Sequence, residues 1–156
     1  MLQIFQAETT DQIALVRTLM REYQQALGVD LCFQNFAAEL DGLPGSYARP
    51  RGRLLLAALS ESPVGCIALQ PIDASRCEMK RLYVRAEARG VGLGRTLVRQ
   101  VLEDAKAIGY DEIFLDTLPT MHEAQRLYEQ FGFVETDAYR ANPIAGTRYL
   151  RKALTE

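Results

Sequence analysis

The chain has 156 residues, 48% of them hydrophobic and 24% charged, a globular balance that leaves no long segment poor enough in apolar residues to stay disordered. Its formal net charge is -2, and Lys and Arg form no long basic tract, which argues against nucleic acid as a partner. The length suits a single domain spanning 1–156 with room for a proper core.

The opening LQIF suits a short strand, and Thr9, Thr10 and Asp11 then offer caps for a helix. Its apolar positions, Ile13, Val16, Met20, Tyr23 and Leu27, step by three or four, and Gly28 ends it. A second short helix is expected from about Phe33, with Phe36 and Leu40 on one side, before GLPGSYARPRG breaks all periodicity. Arg53 to Ser60 and Val64 to Leu69 are short, nearly continuous apolar runs divided by ESP, which predicts a hairpin buried on both faces and covered by helices on both sides. These stretches fall far short of the ~20 apolar residues a membrane span needs. The N-terminus also has no basic region followed by an apolar run and a cleavage site, so the expected address is cytoplasmic, without a membrane partner.

In the next strand, Cys77 to Val84, the apolar residues change phase: Cys77 and Met79 are odd, Leu82 and Val84 even. Either an extra residue near Lys80 and Arg81 forms a β-bulge that keeps both pairs on one face, or the strand is plain and buried on both faces. After the turn RGVGLGR, Leu97, Val98, Val101, Leu102 and Ala105 make an apolar helical face that ends near Gly109. A strand at Asp111 to Asp116 follows, so the strands flanking this helix are expected to be parallel with a right-handed crossover. A further helix is predicted from about Met121 to Phe131, with Ala124, Leu127, Tyr128 and Phe131 on one stripe. Gly132 then begins a strand toward Tyr139, and a last strand, Thr147 to Leu154, closes the sheet.

The segment RGVGLGR, residues 89–95, carries the clearest chemical signal. Glycines between a strand and a helix let backbone approach a ligand while free N–H groups at the helix start face it, which suits a phosphate. The dinucleotide pattern G-x-G-x-x-G fails because Arg95 stands at the third glycine's place, and no Gly-Lys-Ser/Thr follows. Asp116 superficially suggests a ribose-binding acid, but its spacing does not match. An ordinary glycine turn remains the alternative. Cys32, Cys66 and Cys77 are odd in number and lack CxxC spacing, which argues against a disulfide framework and against a zinc site.

The run CEMKRLYVRAEARGVGLGRTLV resembles the central motif of the GNAT superfamily of N-acetyltransferases, and LYEQFGF resembles the motif that follows it. The resemblance in motif covers roughly Glu78 to Phe133. It implies an α+β (mixed α/β) fold: a central mixed, mostly antiparallel sheet with a splayed parallel strand pair, flanked by helices on both faces. It implies acetyl-coenzyme A as cosubstrate and no metal. Arg89, Gly92 and Gly94 match the family's Arg/Gln-x-x-Gly-x-Gly/Ala pattern, which implies that amides of Arg89, Gly90, Val91, Gly92, Leu93 and Gly94 hold the pyrophosphate. The exposed backbone of Leu82, Tyr83 and Val84 would pair with the pantetheine arm. The side chains of Arg85, Arg89 and Arg95 around the loop are candidates to meet the phosphates through charge-assisted bonds, with plain solvation as the alternative, and only Arg89 has a motif behind it.

Tyr128 matches the family tyrosine that protonates the departing thiolate, and a phenol with pKa about 10 keeps its proton at neutral pH. Glu78 stands where several members carry a base; a solvated strand glutamate is the alternative. Where many members have Asn, seven residues before this tyrosine, Met121 stands here. His122 at a helix start is given no role, and Cys77 reads as a small core residue, so direct transfer in a ternary complex is expected. The acceptor is expected to be a small-molecule or peptide amine, in a pocket that the resemblance places against Tyr23 and Phe33 of the first two helices and a hairpin from Tyr139 to Tyr149, with overall acidity leaning toward cationic acceptors. A homodimer through C-terminal strands is an expectation from the resemblance. Another acyl-coenzyme A donor, a coenzyme A-binding sensor without turnover and a plain nucleotide-binding module are the competing readings.

Overall fold

The computed structural model describes residues 1–28 and 35–154. Strand β1 (Leu2–Gln6) leads into helix α1 (Thr10–Leu27). The helix starts at Thr9 because the Thr9 hydroxyl accepts from the Gln12 amide while the Gln12 side chain accepts from Thr9 N–H, a reciprocal cap. It stops at Gly28, whose φ of 68° is cheap only without a Cβ. Cys32 and the helix start expected near Phe33 lie outside the described residues; α2 (Phe36–Asp41) does bury Phe36 and Leu40 as its pattern predicts.

Strands β2 (Arg53–Leu59) and β3 (Ser62–Pro71) form the expected hairpin, turned at Ser60 and Glu61 with φ of 47° and 71°. Then come β4 (Arg76–Val84), α3 (Leu93–Ile108), β5 (Glu112–Thr117), α4 (His122–Gln130), β6 (Val134–Glu135) and β7 (Arg148–Ala153). The sheet order is β1-β2-β3-β4-β5-β7-β6, and every pairing is antiparallel except β4 with β5. This is the mixed, mostly antiparallel α+β sheet expected.

The phase change in β4 is a bulge. Register against β3 slips between Ala68↔Lys80 and Cys66↔Tyr83, and Arg81 takes φ of 63°. Cys77, Met79, Leu82 and Val84 all face the same apolar cluster, shared with α3 and α4, so the plain-strand alternative is excluded. The opposite face packs a second cluster, from α1 and α2, on Leu54, Leu56, Cys66 and Ala68. Helices therefore cover both faces, as the two-sided burial of the hairpin requires.

Arg81 points into that second layer. Its side chain is 2% exposed and grips the Glu39 carboxylate of α2 through Nε at 3.0 Å and Nη2 at 2.8 Å. Burial alone would raise the Glu39 carboxyl, but the hydrogen bonds and charge of Arg81 outweigh it and hold the group below its ordinary 4.5.

The C-terminal strands correct the sequence reading. The strand expected from Gly132 to Tyr139 is only Val134–Glu135, and it forms the sheet edge. The last strand does not close the sheet but inserts between β5 and β6, paired with β5 from Glu112↔Ala153 to Thr117↔Arg148. β5 has Ile113, Phe114 and Leu115 in a row, all buried, and such a strand needs a neighbour on its second edge; β7 is the segment long enough to supply one.

Candidate active site

β4 and β5 pair over only three positions, Arg76↔Glu112, Cys77↔Ile113 and Glu78↔Phe114. Beyond Glu78 the strands splay, so among the described residues one backbone edge of β4 from Met79 to Val84 has no strand beside it. The gap opens into a cleft of about 660 Å³ bounded by Tyr23 and Leu27 of α1, Leu82 to Val84 of β4, Arg89, and Met121 to Ala124 at the start of α4.

The cleft continues along Leu82, Val84 and Arg89 into a cavity of about 260 Å³ over Gly90, Gly92, Leu93 and Gly94. Gly90 and Gly92 have φ of 88° and 79°, and a Cβ on either would meet nothing within 4 Å, so this backbone lies open. Gly92 caps α3 without any side-chain cap, and the first helical bond runs from Thr96 N–H to Gly92 O. The amides of Leu93, Gly94 and Arg95 thus lack helical acceptors and face the cavity end, where the helix dipole favours an anion. Val91 stands exposed at the tip of the loop.

The three arginines around the loop go different ways. Arg89 donates to Val84 O at 2.9 Å and borders both cavities. Arg85 is turned away, forked onto Glu22 at 2.9 and 2.7 Å. The Arg95 side chain, a candidate phosphate contact, instead reaches Gln130 and lies over the Phe131 ring, and it borders neither cavity.

Glu78 is not a solvated glutamate. It is fully buried, and its carboxylate accepts from Gln70 Nε2 at 2.8 Å, from the Tyr139 hydroxyl at 2.6 Å and from Arg140. Burial and the neighbouring Glu78 charge push the Tyr139 phenol above its ordinary value, so it stays a proton donor. For Glu78 to take a proton, one donor must yield, and Arg140, with 31% of its side chain exposed, has room to do so. Sequence reasoning placed the stretch from Tyr139 to Tyr149, which includes Arg140, near the acceptor, though the strands here are Val134–Glu135 and Arg148–Ala153 and not a hairpin over that stretch; it missed Gln70 and the bond from Arg140 to Glu78, since nothing local links them.

Tyr128 is buried one helical turn beyond Ala124, with its ring 5.8 Å from that of Phe133. Burial raises its pKa, and Tyr23 and Asp116 push it the same way, so the phenol remains protonated at neutral pH. A narrow space of about 30 Å³ between the splayed strands is lined by Tyr23, Lys80, Asp116, Met121 and Asn142. Met121 occupies the place where the resemblance leads one to expect Asn, and a carboxamide reaches the same space from Asn142, which donates to Asp116 at 3.3 Å. His122 is exposed on the cleft rim.

Cys66 and Cys77 are fully buried, and burial pushes both thiols up to about 12. Neither supplies thiolate near neutrality, which removes Cys77 as an acyl carrier. Both are expected to resist a thiol reagent at pH 8 in the folded protein, as read by mass-spectrometric mapping, and to react in denaturant.

Residues 14–133 match the Acetyltransferase (GNAT) family. The chain belongs to that family. It is 41% identical over 142 residues to an uncharacterized N-acetyltransferase of Schizosaccharomyces pombe, covering 90% of this chain and 87% of that protein. The fold superimposes on a GNAT-family acetyltransferase from Staphylococcus aureus with TM-score 0.82, 21% identity and coverage of 99% and 100% of the two chains. PaiA N-acetyltransferase from Thermoplasma acidophilum, solved in complex with coenzyme A, matches with TM-score 0.77 and 18% identity over 98% and 99%. Among the described residues no helix is long and apolar enough to cross a membrane.

Proposed function

We propose that the protein is an N-acetyltransferase, built as one catalytic domain, that moves the acetyl group from acetyl-coenzyme A to a primary amine by direct attack in a ternary complex. The observation that carries this reading is the continuity of the open glycine cradle at the start of α3 with the cleft that ends between β4 and β5. The coenzyme A complex of the Thermoplasma relative supports the choice of ligand.

The cradle amides from Arg89 to Arg95 bind the pyrophosphate, and the unpaired edge at Leu82, Tyr83 and Val84 takes the amides of the pantetheine arm. The thioester then lies in the splay, held beside the amine, which supplies much of the rate. An ammonium must first lose one proton. The amine nitrogen attacks the carbonyl carbon, the C–N bond forms, the C–S bond breaks, and the thiolate takes its proton from Tyr128. The nitrogen releases a second proton as the amide forms. One of the two protons restores Tyr128 and the other leaves to solvent, with Glu78 as the proposed base once Arg140 moves aside.

Calorimetric titration with acetyl-coenzyme A, beside coenzyme A and ATP, tests the cradle; absence of acetyl-coenzyme A binding at millimolar concentration would sink the proposal. For the chemical step, Tyr128→Phe is expected to lower kcat by about a hundredfold, with the affinity for acetyl-coenzyme A unchanged. A variant with full kcat would remove Tyr128 from the mechanism.

A further inference from the structure

On the face of β4 that carries Lys80, the wedge between the strands adjoins a second cavity of about 380 Å³. It lies between α2, the segment Pro44 to Tyr47, Gln70, Lys80 and Arg140, well apart from the glycine cradle. Its charges are unevenly matched. Glu39 is held by Arg81, and Glu78 by Arg140, Tyr139 and Gln70. Lys80 has no carboxylate within ion-pair distance among the described residues, and Arg140 Nε is buried without a hydrogen-bond partner. Lys80, without an ion-pair partner among the described residues, and Arg140, bound to Glu78 through Nη2 but with Nε unpartnered, therefore line one cavity.

Lys80 borders both spaces, and across the wedge from it stands Asp116. Asp116 accepts from Asn142 but forms no ion pair with Lys80 or with any other described cation. Opposite charges that line one space without meeting each other present a complement to a small molecule carrying both signs. Lys80 is half-buried, and its pKa is lowered: burial and then Arg81 and Arg140 press it down against the opposing pull of Glu78 and Glu39. An incoming carboxylate would relieve that strain and satisfy Arg140 Nε through charge-assisted bonds.

We propose that the acceptor is a free amino acid whose carboxylate is held by Lys80 and Arg140 in the 380 Å³ cavity while its amino group enters the wedge beside Asp116. The proposal rests on the acetyl-transfer reading and narrows its substrate: a carboxylate only a few bonds from the amine sets amino acids apart from polyamines and from protein lysines. It also reverses the lean toward cationic acceptors that overall acidity suggests, because Lys80 and Arg140 both line the cavity.

The test sets thiol release at saturating acetyl-coenzyme A with L-amino acids against the amines that lack only the carboxyl group. Suitable pairs are L-phenylalanine with phenethylamine, L-leucine with isopentylamine and L-methionine with 3-(methylthio)propylamine. The amino acid of the accepted pair is expected to show at least a tenfold advantage in kcat/KM. Lys80→Met should raise its KM at least tenfold while leaving the Kd for acetyl-coenzyme A unchanged, which also reports that the variant is folded. Equal or better turnover of the decarboxylated amines, or an unchanged KM in Lys80→Met, overturns the proposal. Calorimetry of the L-amino acids into the coenzyme A complex reads the subsite without turnover. No binding of any of them at about 10 mM also overturns it. Failure to bind acetyl-coenzyme A is a separate result and strikes the transfer reading itself.

Discussion

Gly92→Glu is expected to weaken the proposed binding of acetyl-coenzyme A at least a thousandfold in calorimetric titration. Two effects add. The backbone at Gly92 has φ of 79°, where a Cβ costs about 1–2 kcal/mol. The new carboxylate enters the open space beside the free amides of α3, and a like charge about 4 Å from a phosphate oxygen costs about 4 kcal/mol at an effective dielectric near 20. Gly92→Ala separates the two, since it brings the strain without the charge and is expected to weaken binding only about tenfold. If the glutamate variant binds as the wild type does, the pyrophosphate does not sit on this loop.

The largest effect on stability is expected at the bulge. Arg81→Met leaves the Glu39 carboxylate, 15% exposed, without its buried partner and lowers the unfolding free energy by about 3–5 kcal/mol. The double variant Glu39→Met Arg81→Met removes both charges and should recover most of that loss, as read from urea unfolding. The pH dependence follows from the same pair. Because the folded carboxyl lies below 4.5, the unfolded chain binds the proton more readily, so the contribution of Glu39 is complete above about pH 4.5 and fades as pH falls through its folded value. Wild-type stability should therefore drop more steeply below pH 4.5 than that of the double variant. A single variant as stable as the wild type would show the ion pair to be idle.

Much of the fold was legible in local pattern, and the reasons are particular. The bulge was one of two readings of Cys77, Met79, Leu82 and Val84, which break a period of two; a strand buried on both faces fits the same pattern, and the structure decides for the extra residue. The two-faced burial of the β2–β3 hairpin could be read from its unbroken apolar runs. The place of β7 could not, because Val134 and Glu135 give no alternation long enough to mark an edge strand, and the pairing of β7 with β5 joins segments far apart in the chain.

The candidate site divides in the same way. The glycine loop is local and announces itself, whereas the donors around Glu78 come from Gln70, Tyr139 and Arg140, which meet only after the sheet has formed. The Arg81–Glu39 pair was equally hidden, since its two charges come from a strand and a short helix that the sequence does not connect. Lys80 and Asp116 each look like ordinary solvated strand residues until the splay sets them across one narrow space.

The three-position seam between β4 and β5 also divides the sheet into two panels, β1–β4 and β5–β7–β6, joined by little backbone bonding. A ligand seated in the splay bridges the two panels as a rivet does. Its binding free energy then adds to the cohesion of the whole fold, so saturating ligand raises the melting temperature and slows amide exchange along the seam.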